Sequence, residues 1–230
     1  YEKSNFLLTK QIFDGFLKSN CKVFIFMSSV KAVGEKFIKP MTEFDDENPS
    51  TIYGKTKLYA EKYIMDSIDS EKKIIILRPS MVYGLGNKGN LNLLISFCKT
   101  GLPWPLKAYE NKKSFCSINN LVFVIKKVLD KEIINGIYNV SDDQSISTNQ
   151  LVGLIYKSMN IYPRYLKLPK IFIRAIFMLG DLFNLSINSL TLKKLTSSFL
   201  VDNEKIKKNL NIRKMPYNQK YELINTIKRI

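Results

Sequence analysis

Two short runs of uninterrupted apolar residues do most to limit what this chain can become. Lys22-Val23-Phe24-Ile25-Phe26-Met27 and Ile74-Ile75-Ile76-Leu77 show no polar–apolar alternation. A strand with one wet face alternates, whereas a strand covered on both faces does not. Between them, residues 53–69 carry Tyr53, Lys57, Ala60, Ile64 and Ile68 at helical spacing. Buried strand, helix, buried strand is a βαβ crossover, and that unit needs a parallel sheet flanked by helices. The expected class is therefore α/β.

The rest of the chain extends the pattern. Residues 6–19, 90–100 and 121–129 have helical spacing, and Ile137-Tyr138-Asn139-Val140 is a short strand. Ser147 with Gln150 three residues on forms a capping box that opens a helix over 148–159. Beyond it the chain is mostly helical, with a last helical turn or two over 202–210. Gly101-Leu102-Pro103-Trp104-Pro105-Leu106 is a loop.

Composition removes several chemistries. The chain contains no histidine, which excludes Ser-His-Asp and Cys-His triads and HExxH zinc sites. Proton transfer then falls to Tyr, Lys, Asp, Glu or Cys. Cys21, Cys98 and Cys116 lie far apart without a CxxC, so neither a disulfide framework nor a metal site is expected. The net charge is +16, but the lysines are scattered in pairs such as Lys72-Lys73 and Lys193-Lys194 rather than massed. There is no aromatic-plus-basic recognition motif, so no specific nucleic-acid partner is expected. The positive field favours a phosphorylated small molecule. The most apolar stretch, Ile171 to Leu185, carries Arg174 and Asp181 and is shorter than the ~20 residues that cross a bilayer. It reads as a buried or interfacial amphipathic helix, not a transmembrane segment. Tyr1-Glu2-Lys3-Ser4-Asn5 is polar, without the marks of a signal peptide, and the expected location is the cytoplasm.

Three features converge at the carboxyl ends of strands, where open parallel sheets place their ligand crevice. The first apolar run ends in Ser28-Ser29, the helix opens with Tyr53-Gly54-Lys55-Thr56-Lys57, and the second run ends in Arg78-Pro79-Ser80-Met81-Val82-Tyr83-Gly84. Tyr53 and Lys57 are i and i+4, so they share a helix face. A free tyrosine titrates near ~10 and is a poor base, but an adjacent ammonium favours the phenolate. Such a tyrosine can exchange a proton with a sugar hydroxyl while a serine hydroxyl holds the same oxygen. Tyr-x-x-x-Lys alone arises by chance in a chain rich in both residues. The combination with the two strand ends does not.

Together these motifs resemble the extended short-chain dehydrogenase/reductases, the NAD-dependent nucleotide-sugar epimerase/dehydratase family. The resemblance implies a partial Rossmann-like, doubly wound parallel sheet (its C-terminal half) with a mainly helical substrate-binding lobe. It implies NAD or NADP as cofactor and a UDP-sugar as substrate. Ser29 matches the catalytic serine, Tyr53 the acid/base and Lys57 its partner, which also binds the nicotinamide ribose. Ser28 joins Tyr53 and Lys57 among the cofactor-binding residues, and Pro79, Ser80, Met81 and Val82 match the segment packed on the nicotinamide. For the substrate, Asn90-Leu91 resembles the pair on the diphosphate and Pro105-Leu106 the uracil-contacting loop. Lys113 stands where an arginine usually binds the diphosphate, and Lys194 is assigned to the same pocket. Lys31, the Gly34-Glu35 pair, the stretch Gly86-Asn87-Lys88-Gly89-Asn90 and the Gly101-Leu102-Pro103-Trp104-Pro105-Leu106 loop are similar to reductases of UDP-4-keto-6-deoxy-N-acetylhexosamines, which serve surface-polysaccharide synthesis. A UDP-sugar 4-epimerase would use the same catalytic set, so these residues leave both open.

The family opens with a strand, a GxxGxxG turn and a helix that hold the dinucleotide pyrophosphate. This chain has no such pattern; Gly84, Gly86 and Gly89 come too late. About 75–90 residues, half of a doubly wound sheet, are expected to be missing, so the chain is read as a poorly active fragment. Segments 1–85, 86–140 and 141–230 are expected to hold the remaining dinucleotide-binding part, a mixed part with substrate loops and a return strand, and the helical lobe, interleaved. The other partners weighed are a homodimer mate and the missing N-terminal portion. A non-catalytic cofactor-binding scaffold is the alternative of another class.

Overall fold

The two apolar runs lie side by side as parallel strands in a computed structural model, which describes residues 2–35, 37–66, 71–86, 90–183, 185 and 187–229. After a π-helical turn over Glu2–Leu7, the chain forms α1 (Leu8–Lys18), β1 (Val23–Met27), a 3-10 turn (Val30–Ala32), α2 (Ile52–Asp66) and β2 (Lys73–Pro79). It continues through β3 (Met81–Tyr83), α3 (Asn90–Lys99), β4 (Lys113–Ser117), α4 (Ile118–Asp130), β5 (Gly136–Val140) and β6 (Ser145–Ile146). Then follow α5 (Thr148–Ser158), α6 (Lys170–Leu182), α7 (Ser189–Thr196), α8 (Glu204–Asn209) and α9 (Gln219–Lys228). The chain divides into two units: Tyr1–Val82 with Ser114–Asp143 and Phe199–Tyr217, and Tyr83–Lys113 with Gln144–Ser198 and Asn218–Ile230.

The first unit is α/β. Its sheet has the order β1-β2-β5 with both pairings parallel; Ile25 pairs with Ile75, and Ile75 with Gly136. Consecutive strand residues face opposite ways, and β2 has apolar partners on both sides. Ile74 and Ile76 pack in a cluster with Phe13 and Phe16 of α1 and Ala60 and Ile64 of α2. Ile75 and Leu77 pack with Val124 and Val128 of α4, Ile206 of α8 and Leu210 at its end. This two-sided burial is why β2 shows no alternation in sequence.

The lysines at the start of β2 follow the same alternation. Lys72 donates to the carbonyls of Phe16, Leu17 and Ser19 at the end of α1, at 2.9, 2.9 and 2.8 Å. Lys73 donates to those of Val128 and Lys131 at the end of α4, at 3.1 and 2.9 Å. Helix C-termini leave carbonyls without partners and carry partial negative charge, so an ammonium suits both ends. The free edge of β5 is closed by side chains: Asn139 N–H donates to Glu43 at 2.7 Å, and Lys205 donates to the Ile137 carbonyl at 2.8 Å.

The second unit is mainly helical. Ser147 and Gln150 form the expected capping box in full at the start of α5. Asn111 is buried and donates to Thr148 and to the carbonyls of Leu195 and Ser197, tying α5 to the end of α7. The indole of Trp104 donates to Asn149 at 2.8 Å. Gly180 of α6 is needed for close approach: a Cβ there would lie 1.7 Å from the Ile187 carbonyl oxygen.

Sequence boundaries shift where side chains cap. The helix expected over 121–129 starts at Ile118, because the Ser117 hydroxyl accepts from the Asn120 N–H at 3.0 Å. The run expected at Ile74–Leu77 extends over Lys73–Pro79. Ile68 and Asn87-Lys88-Gly89, used in the sequence reading, lie outside the described residues.

Candidate active site

The first apolar strand ends and the chain turns at once. Ser29 caps the 3-10 turn, its hydroxyl oxygen accepting from the Lys31 N–H at 3.2 Å. The start of α2 presses on this turn. A Cβ on Gly54 would lie 2.3 Å from the Lys31 carbonyl oxygen and 2.9 Å from Pro49 Cβ. Only a residue without a side chain lets the helix that carries Tyr53 come this close to the turn that carries Ser29.

Glu35 fixes the same junction. Its carboxylate accepts from Ser50 N–H at 3.1 Å, from the Ser50 hydroxyl at 2.6 Å and from the Thr51 hydroxyl at 3.2 Å. Thr51 in turn accepts from the Gly54 N–H at 3.1 Å, satisfying one of the first donors of α2. Burial raises the Glu35 pKa, but the hydrogen bonds from Ser50 and Thr51 and the charge of Lys31 outweigh it and leave the carboxyl below its usual range.

Tyr53 and Lys57 are both half-buried, one helical turn apart. The Lys57 ammonium donates to the Met27 carbonyl at 2.8 Å and lies 4.9 Å from the centroid of the Phe26 ring. Helix and strand end are thus joined by the lysine that the sequence pairs with the tyrosine. Burial lowers the Lys57 pKa, partly opposed by the carboxylate of Glu61.

Glu61 introduces a network that spacing along the chain did not disclose. Arg78, fully buried, donates through Nε to both Glu61 oxygens at 3.0 and 3.1 Å, and through Nη2 to Glu61 at 2.6 Å and to Glu47 at 2.5 Å. Burial alone would lower the arginine pKa; the two carboxylates reverse this and hold it cationic. Arg78 and Glu61 lock β2 to α2. The only sequence signal was that Arg78 closes an otherwise apolar strand. Just beyond, Ser80 N–H donates to the Val140 carbonyl at 2.9 Å, while its buried hydroxyl has no hydrogen-bond partner among the described residues. Met81 and Val82, the first two residues of β3 just past the carboxyl end of β2, are an exposed apolar pair.

The two buried cysteines give no competing acid or base. Burial pushes the Cys98 thiol up to about 11 and holds Cys116 well above its usual value.

The candidate substrate residues other than Lys31 belong to the second unit. Lys31 is half-buried, its ammonium 5.3 Å from the centroid of the Phe199 ring. Asn90 opens α3, and its side chain lies outside what the structure describes. Leu91 and Leu106 are buried, and Pro105 is half-buried. Lys113 donates to the backbone carbonyl of Lys194, so these two meet through the main chain, and the Lys194 side chain is exposed.

These features fit one end of a dinucleotide. An unpartnered Ser80 hydroxyl and an exposed apolar pair suit an amide-bearing ring, and Lys57 suits a ribose. The chain has no glycine-rich turn for the pyrophosphate.

Residues 1–141 match the NAD dependent epimerase/dehydratase family, and the chain belongs to that family. Among curated proteins it is 37% identical over 150 residues to the UDP-glucose 4-epimerase of Vibrio cholerae, covering 63% of this chain and 44% of that protein. It is 31% identical over 157 residues to the N-acetyl-alpha-D-glucosaminyl-diphospho-ditrans,octacis-undecaprenol 4-epimerase of Escherichia coli O157:H7, covering 66% of this chain and 47% of that protein. The chain spans about half the length of these relatives. A UDP-glucuronic acid 4-epimerase from Bacillus cereus, solved in complex with NAD, superposes with a TM-score of 0.74 at 18% identity, over 100% of this chain and 66% of the other. That likeness establishes the Rossmann-type α/β fold.

Proposed function

We propose that this chain is the catalytic and substrate-binding part of an NAD(P)-dependent enzyme acting at C4 of a UDP-linked sugar. The observation that carries the reading is the Lys57 ammonium, one turn from Tyr53 and hydrogen-bonded to the strand end that leads into Ser29. When bound, the dinucleotide supplies or accepts the hydride at the sugar carbon. Tyr53 gives the proton to the oxygen of that carbon in reduction and takes it in oxidation. Lys57 stands one helical turn from Tyr53, on the same helix face. Ser29 already accepts a backbone N–H, which leaves its own hydrogen free to donate to the same oxygen. Pro79, Ser80, Met81 and Val82, with Ser28, form the surface for the nicotinamide. Asn90, Leu91, Pro105, Leu106, Lys113, Lys194 and Lys31 are the residues for the UDP portion.

The reaction we favour reduces the C4 ketone of a UDP-4-keto-6-deoxy-N-acetylhexosamine for surface polysaccharide, in the cytoplasm. Lys31, Gly34-Glu35 and the Pro105-Leu106 loop support it. A second reading is 4-epimerisation, favoured by the two curated 4-epimerases the chain matches. Pyrophosphate binding needs a glycine-rich segment absent from these 230 residues, so the active form is the chain joined to such a segment. In that form, net reduction of the keto-sugar by NADPH supports the first reading, and interconversion of UDP-sugars without added NADPH the second. Tyr53→Phe is expected to lower kcat by at least about 100-fold, the range for removing a general acid, with the thermal transition unchanged. A variant that retains full kcat would rule out the acid/base role.

A further inference from the structure

Helix α6 turns very little of itself inward. Of its 13 residues only Ile173, Phe177 and Gly180 are buried. They fall on one side of the helix at steps of four and three. The opposite arc carries Ile171, Phe172, Ile176, Met178, Leu179 and Leu182, and these are 53–74% exposed. The apolar surface continues past the helix through Phe183, Leu185, Ile187 and Leu190, each more than half exposed. Lys170, Arg174 and Asp181 share one narrow flank between the buried stripe and the outer arc.

A helix apolar nearly all round belongs in a core or in lipid. At 13 residues α6 is about 20 Å long, short of a bilayer core of about 30 Å, and no helix among the described residues is long and apolar enough to cross a membrane. The surrounding charge is one-sided. Residues 161–198 contain six Lys and Arg against one acid, Asp181. That acid is occupied, accepting from the N–H and the hydroxyl of Ser189 at the start of α7. Two copies of this face would bring two cationic rims together in a chain already at +16. An anionic surface would relieve the same charge.

We propose that the outer face of α6, with the exposed side chains of Phe183, Leu185 and Ile187 beyond it, docks in the plane of an anionic phospholipid surface. The apolar arc enters the headgroup–acyl boundary, and Lys170 and Arg174 on its flank, both exposed, meet lipid phosphates. The inference is independent of the catalytic reading, and its test uses no turnover.

The experiment is co-sedimentation of the full chain with phosphatidylcholine vesicles, with and without phosphatidylglycerol. Binding is expected to rise at least about tenfold with the anionic lipid and to weaken in high salt. The doubly substituted Phe172→Glu, Leu179→Glu chain should lose at least about tenfold in binding with an unchanged thermal transition, because both side chains are exposed. Lys170→Ser with Arg174→Ser should remove the preference for anionic lipid while leaving weak residual binding. Equal binding by the wild type and the glutamate variant overturns the proposal, as does no binding to either vesicle. Self-association without lipid that the glutamate substitutions abolish also overturns it, and assigns the face to a second copy of the chain.

Discussion

Gly54 leaves no space for even one methyl group, since a Cβ there would lie 2.3 Å from the Lys31 carbonyl oxygen. Gly54→Ala is expected to cost about 1–3 kcal/mol, the usual penalty for overpacking, read as a lowered thermal midpoint. It should also cut kcat by displacing Tyr53 from the Ser29 turn. Lys57 predicts a pH dependence whose sign follows from burial. Its pKa is lowered, so the ammonium is lost at a lower pH than in a solvated lysine. The alkaline limb of the kcat profile should therefore begin to fall below the usual lysine range, and Lys57→Arg, which stays charged, should move that limb upward. At this scale the tyrosine–lysine pair and Ser29 were legible because their relation is local: one helical turn, and one strand end. Glu61 and Glu47 were not. Each meets Arg78 across 17 and 31 residues of chain, and no spacing rule reaches that far.

The junction of turn and helix depends on Glu35. Its carboxyl pKa is lowered, so its contribution to stability is present above the unfolded value of about 4.3 and is lost as pH falls through the folded value. Glu35→Gln should cost about 1–2 kcal/mol at neutral pH. The gap from wild type should close in urea melts run at progressively lower pH. Between β2 and α2, Arg78→Met would strand Glu61 without its counter-charge in the interior, and a loss of about 3–5 kcal/mol is expected by denaturant melt. A second substitution, Glu61→Leu, should recover part of it. Strands β1 and β2 were legible because burial on both faces leaves unbroken apolar runs. Strand β4 was not: Lys113-Ser114-Phe115-Cys116-Ser117 has the composition of a loop, yet Ser114 and Ser117 are buried with hydrogen-bond partners.

Across the whole molecule, the positive charge gains a structural explanation that composition alone could not give. Lys57, Lys72, Lys73, Lys113, Lys131 and Lys205 all donate to backbone carbonyls. The two sides of the sheet differ as well. Side chains close the β5 edge, whereas on β1 the even residues bond β2 and the odd ones face away. Met27 and Val23 find Lys57 and the Cys21 thiol, and Ile25 has no backbone partner on that side among the described residues. An open edge and the lack of a glycine-rich turn lead to one expectation: these 230 residues alone bind NAD(P) weakly. Tight stoichiometric NAD(P)H binding by titration calorimetry would show that expectation to be wrong. Strand β2 carries a last consequence. Its centre, Ile74 to Leu77, is equally greasy both ways, so sliding it by one position would cost little hydrophobic energy. Its ends forbid that slide: Lys72 and Arg78 must reach the α1–α2 layer, and Lys73 the α4 layer. Charge at the two tips is thus the key that sets alignment for a segment whose middle is indifferent to it, and deleting one residue there should scramble the layers while leaving total burial nearly the same.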